Sequence, residues 1–303
     1  MDKVPSQKLE GRRADWDSIS RSFDLPLITI ITSTYNAEKD LHWTGDSIGR
    51  QSYPFIQWII ADGGSEDETL PVIERYKDVI DIWFSEQDQG IYNAWNNAIR
   101  YCQGDWVLFL GAGDELPEAC TLEKVVPFLQ GAYPNHDLVY GDLLLISEQE
   151  RRPLEYVGGP WEQMEGKWCM FRPQLPGHPS VFHHKSLFVQ ESPFDTRFKI
   201  AADTHFLLKH IRNKKPLYCG ILVDKMPVGG VSGKLSSVID FFRETRLASK
   251  ELGFNPPISH QVFEFILILA KWVVGKILPE RAGLFLADMF RLLCGKKRRW
   301  SIR

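Results

Sequence analysis

The sequence predicts an α/β domain built on a mostly parallel central sheet, followed by a helical C-terminal extension. Three observations carry this expectation. Short apolar and β-branched runs alternate with helix-like segments through roughly the first third of the chain, which is the spacing of βαβ units. Polar residues able to hold a ligand recur at the carboxyl ends of those runs, where parallel sheets bind their ligands. Residues 236–303 lose the alternation and carry long apolar stretches instead.

Residues 1–25 are polar and charged and read as an N-terminal arm. Residues 27–32, Leu-Ile-Thr-Ile-Ile-Thr, are apolar and β-branched and read as a buried strand. A loop, Ser33-Thr34-Tyr35-Asn36, leads to a helix over 41–51. A strand over 57–61 ends at Asp62-Gly63-Gly64-Ser65, and a helix around 68–76 precedes a strand over 80–85. Glu86 and Asp88 follow that strand, then a helix over 92–102 and a strand over 106–110 that leads to Asp114. In the second half, 137–140 is strand-like, 200–208 helical and 217–226 a further strand. The stretch 152–177, rich in Gly, Pro and Trp, reads as a long ordered loop, a length that in compact domains goes with function or disorder. The expected organisation is therefore an arm over 1–25, one ligand-binding domain over 26–235 and an extension over 236–303.

Composition excludes several classes. Of 303 residues 44% are hydrophobic and 25% charged, ordinary for a globular chain. The net charge of −3 gives no global basic field, so nucleic acid is not an expected partner. The five cysteines are scattered, with no Cys-x-x-Cys, which fits a reducing compartment better than a disulfide framework or zinc site. With no apolar signal-peptide core near the N-terminus, a cytoplasmic location is expected.

The chemistry-bearing candidates each have a plain alternative. Asp114 leaves a turn, Gly111-Ala112-Gly113, whose glycines let a carboxylate come close to a metal and diphosphate, or it simply caps a helix. Asp62 can be a turn residue bonding its own backbone. Asp203, in Ala201-Ala202-Asp203-Thr204-His205, stands at a helix start, where an N-cap is the plain reading. Trp161, Trp168 and Phe171 offer an acceptor platform or core packing. His178, His183 and His184 suggest a metal cluster, but adjacent His183 and His184 on a strand point to opposite faces.

Taken together, these segments resemble the family 2 inverting glycosyltransferases, in particular the bacterial branch that builds exopolysaccharide and lipopolysaccharide. The matching stretches are Ile-Thr-Ile-Ile-Thr-Ser-Thr-Tyr-Asn (28–36), Ile-Ile-Ala-Asp-Gly-Gly-Ser (59–65), Ser-Glu-Gln-Asp-Gln-Gly-Ile-Tyr-Asn-Ala-Trp-Asn-Asn-Ala-Ile (85–99), residues 104–116, Tyr140-Gly141-Asp142, 178–182, 199–208 and 229–232. The resemblance implies a GT-A, Rossmann-like domain that moves a sugar from a nucleotide-sugar donor, UDP-sugar favoured, to a hydroxyl of a glycan or lipid-linked saccharide. It implies that Thr34, Tyr35, Asn36, Asp62, Glu86, Asp88, Gly90 and Asn96 bind the nucleotide sugar. Asp114 would hold a divalent cation, Mn or Mg, and Asp203 would be the general base. Departures are Gly111 and Gly113 where the family carries acidic residues, Asn93 for a frequent Asp, and His205 for a second Asp.

Beyond about residue 236 the resemblance fades. Residues 261–278 and 284–293 are apolar helices, and Gly295-Lys296-Lys297-Arg298-Arg299-Trp300 follows. A spanning helix needs about 20 predominantly apolar residues, and the first segment is interrupted by charge. Helices lying on the inner face of the cytoplasmic membrane, or closing the core, are the two readings. A dehydrogenase is disfavoured because no Gly-x-Gly-x-x-Gly follows the first strand. A non-catalytic nucleotide-sugar-binding scaffold is the alternative function, its support being the depleted acidic turn at 111–115.

Overall fold

A computed structural model describes Gly11, Trp16 and residues 24–229, 238–277 and 280–293. Most of the expected arm (1–25), the Gly-Val-Ser part of the 229–232 motif and the basic run 295–300 lie outside the described residues. Of the arm, Trp16 is buried and its indole donates to Asp81 at 3.1 Å.

The core is one sheet of eight strands. In chain order these are β1 (Ile28–Thr34), β2 (Ile56–Asp62), β3 (Ile82–Ser85), β4 (Trp106–Phe109), β5 (Leu138–Ile146), β6 (Pro153–Val157), β9 (Val181–His184) and β10 (Leu217–Pro227). Their spatial order is β10-β5-β9-β4-β1-β2-β3, with β6 beside β5. β1 pairs in parallel with both β2 and β4, β2 with β3, and β10 with β5. β9 runs antiparallel between β4 and β5, so the sheet is mostly parallel. A small separate hairpin joins β7 (Trp168–Cys169) and β8 (Arg172–Pro173).

The period-2 alternation of the strands decides which helix lies on which face. Ile28, Ile30, Trp58, Ile60, Trp106, Leu108 and Phe182 point to one layer. There they meet Leu41 and Ile48 of α1 (Leu41–Gly49), Val72 and Ile73 of α2 (Thr69–Arg75), and Leu122 and Leu129 of α4 (Thr121–Ala132). Their neighbours Ile31, Ile59, Val107, Phe109 and Val181 point the other way. They pack on Trp95 and Ile99 of α3 (Ile91–Ile99), Phe206 and Leu207 of α6 (Ala202–Ile211) and Ala248 of α7 (Val238–Glu251). Each such fully buried side chain contributes about 1.5–3 kcal/mol. Trp58, with no exposed surface, also satisfies its indole N–H on Thr32 at 3.0 Å.

One reading needs correcting. The stretch 152–177 is not a loop: it holds β6, the short helix α5 (Trp161–Met164) and the β7–β8 hairpin. Elements of two to five residues carry too little periodicity to be seen in a sequence. The residues 238–251, where the family resemblance fades, form α7, which packs on α6; Phe242, Thr245 and Ser249 are buried there. Two more helices follow, α8 (Ile258–Ile277) and α9 (Glu280–Leu293). Among the described residues no helix is long and apolar enough to cross a membrane.

Candidate active site

The carboxyl ends of β1, β2 and β3 converge on Asp62. Its Oδ1 accepts from the hydroxyls of Thr34 (2.8 Å) and Ser65 (2.5 Å). Its Oδ2 accepts from the Ser85 hydroxyl (2.6 Å) and the N–H groups of Gly64 (3.1 Å) and Ser65 (2.9 Å). Asp62 is buried, so five donors compensate its desolvated charge and lash three strand ends together. Thr34 is thereby spent on Asp62 as well. Asn36, in a left-handed conformation with φ 49°, accepts from Glu66 N–H at 2.9 Å on its side-chain oxygen and donates its own N–H to the Ser65 hydroxyl oxygen at 2.8 Å. On this braced edge Tyr35 stands 66% exposed, its ring open to solvent.

Asp88 lies over Gly63, where a Cβ would come within 2.8 Å of its carboxylate, and caps Gly90 N–H at 2.8 Å. Gly90 needs its φ of 117° to turn the chain into α3. Glu86 is held by the Asn97 amide at 2.6 Å. Of the residues assigned to the nucleotide sugar, Thr34, Tyr35, Asn36, Asp62, Glu86, Asp88 and Gly90 share this edge. Asn96 does not. It is buried, and its amide exchanges two hydrogen bonds with the Phe194 backbone, donating to O at 2.8 Å and accepting from N–H at 3.0 Å. On the far side of α3 from solvent it is a packing clamp.

The turn after β4 also corrects its sequence reading. Asp114 is buried and folds back so that its Oδ2 accepts Gly111 N–H at 2.8 Å. A Cβ at Gly111 would lie 2.9 Å from that oxygen, so the glycine makes room for Asp114 itself and not for a ligand. Thr44 Oγ1 sits between the carbonyls of Gly111 and Asp114 and takes Gly113 N–H at 2.9 Å. Arg151 braces the turn from outside, donating to Gly113 O at 2.8 Å and to Glu115, with its guanidinium 4.4 Å over Trp43. Burial pushes the Asp114 carboxyl up to about 7, against the pull of Gly111 N–H and Arg151. Asp224 on β10 is fully buried beside it, both oxygens without a hydrogen bond, and burial raises it well above the carboxylate range. Among the described residues no group of three or more His, Cys, Asp and Glu is arranged to hold a metal ion. On its own this donor set is too small for a cation held by the protein alone, whose remaining ligands would come from the donor diphosphate and water.

Asp203 occupies the first turn of α6, accepting from Thr204 N–H at 2.7 Å. The Tyr92 hydroxyl, in the first turn of α3, lies 3.1 Å from Asp203 and donates to Ile200 O at 2.8 Å. Burial and the adjacent Asp203 keep that phenol protonated. Tyr92 thus joins the Asp88–Gly90 loop to the carboxylate. The approach to α6 is fixed by Glu244 of α7, which accepts N–H groups from Lys199 (2.9 Å), Ile200 (2.8 Å) and Ala201 (3.0 Å). His205 turns away, stacked on Phe198 at 4.9 Å.

Three residues here were missed or misread from sequence. Arg172 is the first. Burial opposes its charge, Cys169 and Asp203 support it, and its buried Nε has no partner, while Nη1 donates to Pro173 O at 3.1 Å. The hairpin that presents it turns through Met170 and Phe171, both at positive φ (53° and 61°) without being glycine, a strained two-residue turn. It is held by Glu264 of α8, which accepts Met170 N–H at 3.0 Å, and by Phe171 packed on Phe242 and under Arg246. The second, His178, joins no group of three or more metal-ligating side chains among the described residues. It stacks on Trp95 at 5.1 Å, burial lowers its pKa while Asp203 opposes the shift, and its buried Nε2 is unpartnered. His183 and His184 point to opposite faces of β9, toward Phe109 and Tyr133. Glu244 is the third, and no local pattern marks it.

A family model described as glycosyl transferase family 2 matches residues 29–167, from β1 through β4 to the hairpin. A PGL/p-HBAD biosynthesis glycosyltransferase of Mycobacterium tuberculosis is 33% identical over 191 residues, 62% of this chain and 71% of the relative. The chain belongs to glycosyl transferase family 2. This glycosyltransferase is also similar in fold to solved structures. Staphylococcus aureus TarS 1–349 in complex with UDP superposes with a TM-score of 0.54 at 20% identity, covering 86% of this chain and 75% of that one. The mannosyltransferase PcManGT from Pyrobaculum calidifontis, in complex with GDP-Man and Mn2+, gives 0.55 at 17% identity, covering 91% and 83%. The GT-A-like α/β fold with a mostly parallel sheet and C-terminal helices is the one expected from the sequence.

Proposed function

We propose that this glycosyltransferase transfers a sugar from a nucleoside-diphosphate sugar, UDP-sugar favoured, to a hydroxyl of a glycan or lipid-linked saccharide acceptor in cell-surface polysaccharide synthesis. The observation that carries the reading is the Tyr92–Asp203 contact. It sets a carboxylate one helix turn from the Asp88–Gly90 loop, at the rim of the braced strand edge. The nucleotide lies along that edge, its base against exposed Tyr35 and its ribose and phosphates toward Asp88 and Gly90. TarS and PcManGT, whose structures hold UDP and GDP-Man, support a nucleotide site on this fold.

In the proposed reaction Asp203 takes the proton of the acceptor hydroxyl as its oxygen attacks the anomeric carbon. The bond from that carbon to the diphosphate oxygen breaks, and the nucleoside diphosphate leaves with the electron pair from the opposite face. One displacement inverts the anomeric configuration. A base in hydrogen-bond reach contributes about 10²–10⁴-fold. Arg172, whose charge Asp203 supports, stays on the base's side of the reaction and steadies that carboxylate, away from the departing diphosphate. The Mn2+ of PcManGT has no counterpart in a protein ligand set at 111–115, and no step is assigned to a cation.

The test is a thermal-shift series with UDP, GDP and their sugars, with and without manganese, followed by transfer assays and the anomeric configuration of the product. Ligand binding to the folded state raises the melting temperature in proportion to the logarithm of saturation. Stabilisation by one nucleotide class, nearly the same without manganese, is the expected result. Stabilisation without any transfer would leave the scaffold reading, and retention of configuration would exclude Asp203 as base in a single displacement.

A further inference from the structure

The last two helices are amphipathic in the reverse sense. The faces of α8 and α9 turned to the protein carry buried Glu264, bonded to the hairpin, buried Asp288, and Arg291, which donates to Glu155 at 2.7 Å. The faces turned to solvent carry the large apolar side chains. On α8 these are Ile258 (80% exposed), Val262, Phe265 (62%), Ile266 and Leu269, with Phe263 alongside. Successive steps of three or four residues, with Phe265 and Ile266 adjacent, set them on one stripe of the helix. Phe285, Leu286, Met289 and Leu292 of α9 repeat the pattern. Apolar faces of this extent on a soluble surface mark an interaction site.

We propose that this outward stripe of α8 and α9 is a docking face for an anionic lipid bilayer, on which the helices lie in the plane of the interface. Two features select lipid over a second copy of the chain. Over its described residues neither helix is long and apolar enough to cross a bilayer, yet both are in the length range of interfacial helices, which bury an apolar face a few ångströms into the headgroup boundary. The sequence that follows α9, Gly295-Lys296-Lys297-Arg298-Arg299-Trp300, adds four cations and an interface-seeking indole to a chain that is otherwise acidic, which is charge complementarity to an anionic leaflet. The face is also tied to the site: the Glu264 that looks inward from α8 holds the hairpin bearing Arg172. A docked enzyme presents that hairpin at a fixed height over the bilayer surface. Docking of this kind is independent of which donor is used.

The test is co-sedimentation of the full-length protein with vesicles of mixed phosphatidylcholine and phosphatidylglycerol, against phosphatidylcholine alone. The wild type is expected to sediment with the anionic vesicles and to be released by salt. Phe265→Glu with Leu269→Glu is expected to lower the bound fraction about tenfold or more, as is Lys297→Glu with Arg298→Glu, while the donor-induced thermal shift stays at the wild-type value. That shift reports the nucleotide site separately, so failure of docking is distinguishable from failure of the functional reading. Wild-type protein that ignores anionic vesicles overturns the proposal, and so does a Phe265→Glu/Leu269→Glu variant that sediments as well as the wild type. A concentration-dependent dimer by light scattering, dissolved by the same two substitutions in protein that does not bind vesicles, would assign the face to a second copy.

Discussion

Removing Glu244 tests whether the C-terminal part of the chain positions the proposed base. Its two carboxylate oxygens accept three consecutive backbone N–H groups, from Lys199, Ile200 and Ala201. A hydrogen bond to a charged group contributes about 1.5–3 kcal/mol, and three donors sharing two oxygens bring the sum to ~4 kcal/mol. Glu244→Ala should therefore lower the melting temperature by about 10 °C, at ~2–4 °C per kcal/mol for a domain of this size. Glu244→Gln keeps one acceptor for the two donors on Oε2 and should lose only ~1–2 kcal/mol. The catalytic effect follows from geometry. The tethered segment supplies Ile200 O to Tyr92 and runs directly into Asp203, and a displacement of ~1 Å at a reacting group costs up to about 10²-fold. Measured well below the melting transition, kcat of Glu244→Ala should fall by about one to two orders of magnitude with donor affinity unchanged, and Glu244→Gln should recover most of it. A lower melting temperature with wild-type kcat would make Glu244 structural only. An unchanged melting temperature would mean that the three bonds contribute nothing.

Asp203→Asn keeps an acceptor for Thr204 N–H and Tyr92, so the fold should melt within a few degrees of wild type while transfer falls about 10²–10⁴-fold; equal loss of donor stabilisation would make Asp203 a donor ligand. Asp62→Asn places an amide among five donors and should cost ~2–4 kcal/mol, visible as a lower melting temperature before any ligand is added; an unshifted apo melt would refute its role as the knot of the strand ends. Arg172→Gln should reduce kcat by up to about 10²-fold by loosening Asp203, with partial rescue by Arg172→Lys, whereas a change confined to the melting temperature would return Arg172 to a packing role.

The sheet was legible because its strands are long apolar runs whose alternation survives in the chain: residues 57–61 and 106–110 match β2 and β4 to within a residue or two. The edge proposed for the nucleotide was legible because parallel topology sends Thr34, Asp62 and Asp88 to one place. What escaped was set by long-range contact. Asn96 is in sequence indistinguishable from a ligand-facing residue, and only its pairing with Phe194, far along the chain, shows that it faces inward. Asp114 was read as opening toward a ligand because glycines flank it, whereas the turn closes on itself through Gly111. Arg172 lies in a hairpin too short to leave a periodic signal, and Glu244 acts across forty residues from a helix that local motifs do not mark.

The Asp62 knot has a further consequence for recognition. With every acceptor position of the carboxylate already occupied, the floor of the proposed nucleotide site is preorganised, and ligand binding there would pay little of the usual ordering entropy. On the proposed reading, discrimination among bases would then fall to the rim, to Tyr35 and Asp88, whose side chains are not woven into the strand ends. Nucleotide preference in this fold can therefore drift by exchange of a few rim residues while the framework beneath them stays intact, and a redesign of donor choice should begin at the rim and leave the knot alone.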